Sequence, residues 1–228
     1  FNMDNVDLIA NQEGIIIDQF SGKVGNAPIS GTVSYLHNQS KFVGSIKIDE
    51  FYVSEELFSR TPLKGKFGHI SGNVDFESVD GNINGNLSIS NQLGLEMNGD
   101  INLINKDSNI LLRSLNLYGE DSRLRANGVW EDSRRIRGYF YLDSLDLSRW
   151  LIDQDPTLLS GMAILEGSID EQKALENIEL TLEIAEYGVF SEQESSFHGT
   201  VSYSDSIIST VDPVMLIIGE SILSIDGE

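Results

Sequence analysis

A five-residue unit, glycine–any–apolar–variable–apolar, recurs along the chain and constrains its fold more than any other feature. It reads Gly31-Thr32-Val33-Ser34-Tyr35, Gly44-Ser45-Ile46-Lys47-Ile48, Gly72-Asn73-Val74-Asp75-Phe76 and Gly85-Asn86-Leu87-Ser88-Ile89. It continues as Gly99-Asp100-Ile101-Asn102-Leu103, Gly138-Tyr139-Phe140-Tyr141-Leu142, Gly161-Met162-Ala163-Ile164-Leu165 and Gly199-Thr200-Val201-Ser202-Tyr203. The first two copies stand 13 residues apart, and those at 72, 85 and 99 are spaced by 13 and 14, the length of one strand plus one turn. Repeats at such a period are read before anything else, because they set the architecture.

Alternation of period two identifies the elements as strands. From Leu93 to Leu103 the odd positions are Leu, Leu, Met, Gly, Ile and Leu, while the even ones are Gly, Glu, Asn, Asp and Asn. Ile178, Leu180, Leu182 and Ile184 alternate with Glu179, Thr181 and Glu183. One dry and one wet face per strand is the mark of an antiparallel sheet solvated on one side. Only Ile15-Ile16-Ile17 and Val214–Ile218 show the continuous apolar run of a doubly covered strand. A glycine in line with the dry face costs stability unless the sheet bends there or something approaches the backbone. Eight of them point to a strongly curled sheet, unless they simply open strands after turns.

A longer similarity suggests internal duplication. Leu115-Asn116-Leu117-Tyr118-Gly119-Glu120, running on to Leu124 and Gly128, parallels Leu216-Ile217-Ile218-Gly219-Glu220, running on to Leu223 and Gly227, with one residue fewer in the second turn. Two segments break the β rhythm. Ser54-Glu55-Glu56-Leu57-Phe58, before Pro62, carries an N-cap-like serine followed by acids, and Leu147–Asp153, before Pro156, looks similar. Either is expected to be a short helix covering an edge of the sheet. No Gly/Pro/Ser-rich linker divides the chain, so residues 1–228 form a single repetitive β-domain.

Each strand of roughly 8 residues would span ~26 Å, and about sixteen of them would make a sheet ~75 Å long. Open twisted sheets rarely exceed about 10 strands without curling or splitting. The dry face can therefore be buried in a sandwich, in a barrel or in a lengthwise trough. An outer-membrane barrel needs an unbroken lipid-facing band and aromatic girdles. Here aromatics are 8% and scattered, and glycines interrupt the dry face.

The net charge of −21 disfavours binding to nucleic acid or anionic headgroups and protects sheet edges from pairing. There is no cysteine, hence no disulfide and no thiolate metal site. No apolar run approaches the ~20 residues of a membrane-spanning helix. The chain opens on Phe1 and closes within the repeat at Gly227-Glu228, which suggests a piece of a longer protein.

Chemistry is not signposted. His37, His69 and His198 stand alone, and no zinc-binding helix motif occurs. Asp143, Asp146, Asp153 and Asp155 lack the spacing of a calcium loop. No Gly-x-Ser-x-Gly elbow is present, and Gly65-Lys66-Phe67 fails as a phosphate loop. With 36 acidic residues, a carboxylate pair is expected by chance. Arg134, Arg135 and Arg137 are expected in the turn between Trp130 and Phe140, balancing nearby acids. No catalytic residue, metal site or cofactor is nominated, and an enzyme is disfavoured.

The stretch Leu111–Ile184 resembles TamB, the translocation and assembly module subunit, and its AsmA-like relatives. The residues that carry the likeness are Leu115-x-Leu117-x-Gly119 with Leu124-x-Ala126-x-Gly128, then Gly138-x-Phe140-x-Leu142 and Leu145-Asp146-Leu147. Leu159-Ser160-Gly161 through Gly167-Ser168 and Ile178-x-Leu180-x-Leu182 complete it. They span about a third of the chain, and the pattern is degenerate, with no catalytic signature. Glu171-Gln172-Lys173 stands where the family often has proline.

The resemblance implies an all-β, folded-over apolar trough, with one or two short helices, in a periplasmic segment of an inner-membrane-anchored protein of a diderm bacterium. It implies phospholipid or unfolded outer-membrane protein segments as cargo and a TamA-like outer-membrane barrel as partner. Acyl chains would lie on the dry face with headgroups in water at the open seam, at ~0.8 kcal/mol per sheltered methylene. The lining residues expected are Val74, Phe76, Leu87, Ile89, Leu95, Ile101, Leu103, Leu117, Phe140, Leu142, Leu180 and Leu182. The same residues would serve equally as the core of a closed sandwich. The alternative function is a secreted or surface β-module, adhesin-like, binding glycan or protein on its outer face.

Overall fold

The computed structural model describes residues 2–12, 14–24, 27–51, 69–106, 109–132, 134–153, 158–169, 175–186, 195–204 and 207–227. These form fifteen strands in a single sheet whose spatial order is the chain order. They are β1 (Asn2–Ala10), β2 (Gly14–Val24), β3 (Ala27–Leu36), β4 (Lys41–Phe51) and β5 (Ile70–Val79). Next come β6 (Asn82–Asn91), β7 (Glu96–Lys106), β8 (Asn109–Tyr118), β9 (Arg123–Glu131) and β10 (Arg135–Leu145). The last five are β11 (Leu159–Ile169), β12 (Leu175–Glu186), β13 (Ser195–Ser204), β14 (Ile207–Ile218) and β15 (Ser221–Ile225). All neighbours pair antiparallel, including β2 and β14, which hold the two continuous apolar runs. Those runs therefore do not mark parallel strands; they lie one strand in from the sheet edges, where Ile15 is 40% exposed.

The strands are longer than the expected 8 residues, at 9–12 for all but β15, because several turns are only two residues long. Every glycine of the repeated unit lies inside its strand, not at its start. Each faces a bulky partner across the ladder: Gly31 opposes Phe20 and Ile46, Gly44 opposes Phe76, and Gly85 opposes Phe76 and Ile101. A Cβ on Gly44 would lie 3.0 Å from two atoms of the Phe76 ring, and one on Gly138 would lie 3.0 Å from the Phe140 ring. Glycine here leaves room for an aromatic ring folded over the backbone.

Cross-strand partners share a face, so the register sorts the side chains into two sets. All eleven buried apolar residues among the described ones, from Phe20 and Ile29 through Met97 and Leu117 to Ile184 and Val214, belong to one set. The other face carries polar ladders: Ser45 to Asn73 at 3.1 Å, Asn116 to Asp100 at 2.7 Å, Thr181 to Thr200 at 3.0 Å and Ser202 to Ser209 at 2.7 Å. Such pairs hold register, and Thr200 is itself buried at 6% exposure.

One backbone device occurs twice. Between β4 and β5, Ile48 pairs with Gly72 and Phe51 with Ile70, leaving Asp49 and Glu50 against Ser71 alone. Between β10 and β11, Leu142 pairs with Gly161 and Leu145 with Leu159, leaving Asp143 and Ser144 against Ser160. Glu50 and Ser144 have φ of 50° and 53°, and each donates its backbone N–H to the facing serine Oγ at 3.0 Å. The two bulges stand six strands apart. The same offset relates the similar segments β8–β9 and β14–β15, whose connections are four residues (119–122) and two (219–220), a difference of two rather than one.

Of the two expected helices, residues 54–58 lie outside the described residues. The second is a single 3-10 turn, Leu147–Arg149, capped by Asp146, whose carboxylate accepts from the backbone N–H of Ser148 at 3.0 Å.

Candidate apolar groove

All twelve expected lining residues fall on the dry face. One ladder row runs Val74–Leu87–Gly99–Leu117–Leu124–Leu142–Gly161–Ile184. The row beside it runs Phe76–Gly85–Ile101–Leu115–Ala126–Phe140–Ala163–Leu182. Ile89, Leu103 and Leu180 lie in the flanking rows, opposite Met97, Leu112 and Leu165. Leu95 precedes β7 in phase with Met97.

Leu95 and Leu117 are each 2% exposed, while the other ten are half-buried. That intermediate state decides between packing schemes. A sandwich core would be covered by a second sheet, and the described strands form only one. A flat open face would leave large side chains mostly in water. Half-burial without a second layer means that the sheet curves over this face and its side chains cover one another in part.

The groove is not uniform along its length. Leu95, Met97 and Leu117 form a buried cluster, joined by Leu87, Ile89, Leu115, Leu124 and Trp150. Trp150 follows the 3-10 turn after β10 and reaches back over three strands to this cluster. Asn91 secures the crossing: its side-chain amide donates to the Arg149 carbonyl at 2.6 Å, and its Oδ1 accepts from the N–H groups of Leu93 and Leu95 at 2.9 and 3.0 Å. Neither Met97 nor Trp150 was among the expected lining residues. Met97 carried the signal, being in phase with Leu95 and Ile101, but Trp150 lies in a segment whose sequence reads as an edge helix. Leu93, read as part of the alternation, sits in the β6–β7 turn. Tyr203, in the dry row of β13, has a buried hydroxyl without a hydrogen-bond partner among the described residues.

The polar face has hollows of its own, because a twisted sheet is saddle-shaped. One of about 820 Å³ is lined by Asp75, Glu77, Asn84, Asn86, Asp100, Asn102 and Arg113 among others. Among the described residues, no group of three or more His, Asp or Glu gathers in a way that could hold a metal ion. Asp146 is engaged in the cap and in an ion pair with Arg149 at 3.7 Å, and Asp155 lies outside the described residues. Of the basic cluster, Arg134 is in the turn and Arg135 and Arg137 are in β10, where Arg137 pairs with Glu166 at 2.8 Å. That carboxylate raises the guanidinium's proton affinity further above its ordinary value.

No family model, curated protein or solved structure matches this chain.

Proposed function

We propose that the dry face is a groove that shelters hydrocarbon in the envelope of a diderm bacterium, as a periplasmic segment of a TamB-like, membrane-anchored protein. The observation that carries this reading is that every buried apolar side chain among the described residues lies on one face of an open sheet, with most of the large residues there only partly buried. An acyl chain laid along the face removes that residual exposure at about 25 cal/mol per Å² covered. A phospholipid fits this arrangement best, with its headgroup in water at the seam; an unfolded outer-membrane protein segment presents the same apolar chemistry one residue in two. The unmet Tyr203 hydroxyl offers a donor to an ester carbonyl. A TamA-like barrel is the partner that the resemblance suggests for delivery. No reaction step or cofactor is required.

The test is organic extraction of the protein purified from a diderm host, followed by mass spectrometry. Stoichiometric phospholipid is expected, and its absence from the folded protein sinks the reading. Leu182→Glu, in the row beside Gly199 and Ala163, should abolish lipid retention while the far-ultraviolet circular dichroism stays that of a β-protein. Global unfolding of this variant, with lipid-free wild type, would instead mark the residue as ordinary core.

A further inference from the structure

We infer that the sheet edge carrying the short turns is the mouth of the groove, and that it admits a zwitterionic, ammonium-bearing phospholipid in preference to an anionic one. The inference rests on the reading of the dry face as a lipid groove, and names the lipid and its point of entry. The first observation is that the dry face is covered from one edge only. The connections β1–β2, β3–β4, β5–β6, β7–β8, β9–β10, β11–β12 and β13–β14 share one edge and have two to five residues each. Those at the opposite edge include residues 52–69 and 146–158, and the second of these supplies Trp150. Burial divides in the same way. On strands with neighbours on both sides, the exposed large apolar residues paired within the dry face are Ile15, Phe42, Ile110, Trp130 and Ile208. Each is the second residue from the short-turn end of its strand. The buried apolar residues among those described, such as Met97, Leu117, Leu145 and Ile184, lie in mid-strand or toward the other edge.

The second observation is a polar group set into this apolar rim. One ladder row runs Ile110–Trp130–Ile136–Gly167–Ile178–Tyr203–Ile208 along the short-turn edge. Within it the Tyr203 hydroxyl is buried and has no hydrogen-bond partner among the described residues. A hydroxyl taken out of water destabilises the fold until it meets an acceptor. The ester carbonyl of a phospholipid sits at the depth required, between acyl chains that have passed inward over the rim and a headgroup that stays outside. Aromatic residues suit such a boundary, one end apolar and the other wet. Trp130 and the Tyr35–Phe42 pair, with ring centroids 4.6 Å apart, supply them on the same edge.

Charge selects the headgroup. Five successive connections on this edge, from β5–β6 to β13–β14, each contain an aspartate: Asp80, Asp107, Asp132, Asp170 and Asp205. The bases in those connections are Arg134 and Lys173, and Lys41, at the same end of β4, is paired with Glu77. Connections on one edge recur at every second strand, ~9.6 Å apart, so acids punctuate the mouth at regular intervals. An ammonium group at the outer end of a zwitterionic headgroup is attracted there. A headgroup of net negative charge is repelled, both by these carboxylates and by the field of a chain of net charge −21.

The experiment incubates the full chain with vesicles of phosphatidylcholine and phosphatidylglycerol in equal amounts, both with dibrominated acyl chains, and then removes the vesicles by centrifugation. Mass spectrometry of the extracted protein is expected to find phosphatidylcholine in about tenfold excess. The excess should shrink at 0.5 M salt, roughly a 4 Å screening length, and in the double variant Asp80→Asn with Asp132→Asn. Asparagine keeps both turns, because it tolerates the φ of 48° found at each position. Bromine also quenches indole fluorescence, and the chain has two tryptophans, one at each edge. Trp130, read in Trp150→Phe, should be quenched more than Trp150, read in Trp130→Phe. The lipid ratio is measured on the wild type and stands whether or not these two variants fold. Equal retention of the two lipids, or an excess unmoved by both salt and the asparagines, overturns the headgroup preference. Quenching of Trp150 with Trp130 untouched overturns the mouth. Both results leave the groove reading standing, whereas retention of neither lipid by the folded chain removes that reading and this inference together.

Discussion

The units β4–β9 and β10–β15 share a backbone plan but bury their side chains unequally. In the first, the dry face closes into the Leu95–Met97–Leu117 cluster, at 2%, 1% and 2% exposure. In the second, the corresponding late strands leave the dry-face residues Ile208, Leu223 and Ile225 more than half exposed. The bulges and their facing serines are alike in the two units, so they do not explain the difference. Position does. Strands β7 and β8 are followed by the second unit and receive Trp150 from it, which covers their dry face. In a repetitive sheet, burial belongs to the interface between neighbours more than to the unit itself.

The Ser-Gly step gives the largest expected contrast between the units. At Gly161, φ is +151° and an added Cβ would stand 2.1 Å from the Glu183 carbonyl oxygen and 2.8 Å from the Ile184 Cα, both backbone atoms. At Gly72 the nearest atoms are 3.1 and 3.5 Å away and φ is ordinary. Gly161→Ala should cost about 3 kcal/mol and Gly72→Ala less than ~1 kcal/mol. Urea unfolding of the two variants measures both. Equal losses would mean that the units are interchangeable at this step and that the curvature near Gly161 is not special.

Next in size is the link that makes the first unit drier. Trp150→Ala removes the ring that covers the cluster and should cost about 2 kcal/mol, less than a fully buried tryptophan because Trp150 is only half-buried. Asn91→Ala removes three hydrogen bonds and should cost a similar ~2 kcal/mol. Because both residues hold the same crossing, the double variant should lose less than the sum. Strict additivity would show that the turn and the ring act independently.

Much of this was legible beforehand, for a physical reason. Alternation fixes which side chains share a face, and in an antiparallel meander that assignment passes from strand to strand, so Val74 and Leu182 fall on one face by parity alone. The bulges were not legible. A left-handed residue usually announces itself as glycine or asparagine, but here the positions are Glu50 and Ser144, stabilised by serines 21 and 16 residues away. Trp150 was hidden because its contact is with strands that precede it by three places, and no local pattern encodes that. The six-strand offset was visible at β8–β9 against β14–β15, but the more similar pair, Asp49-Glu50-Phe51 with Ser71-Gly72 against Asp143-Ser144-Leu145 with Ser160-Gly161, is split by connections of unequal length.

The smallest expected effect tests the likeness itself. If the two bulges are the same device, Ser71→Ala and Ser160→Ala should each cost about 1 kcal/mol, the net worth of one backbone-to-hydroxyl hydrogen bond, and agree within ~0.5 kcal/mol. Glu50→Gly and Ser144→Gly should shift stability the other way by a few tenths, since glycine adopts positive φ without the Cβ clash. Thermal unfolding of the four variants distinguishes a shared device from a coincidence of geometry. A serine that matters at one bulge and not at the other would leave the backbone alike but its stabilisation different, and the pairing of β4–β9 with β10–β15 would then rest on strand register alone.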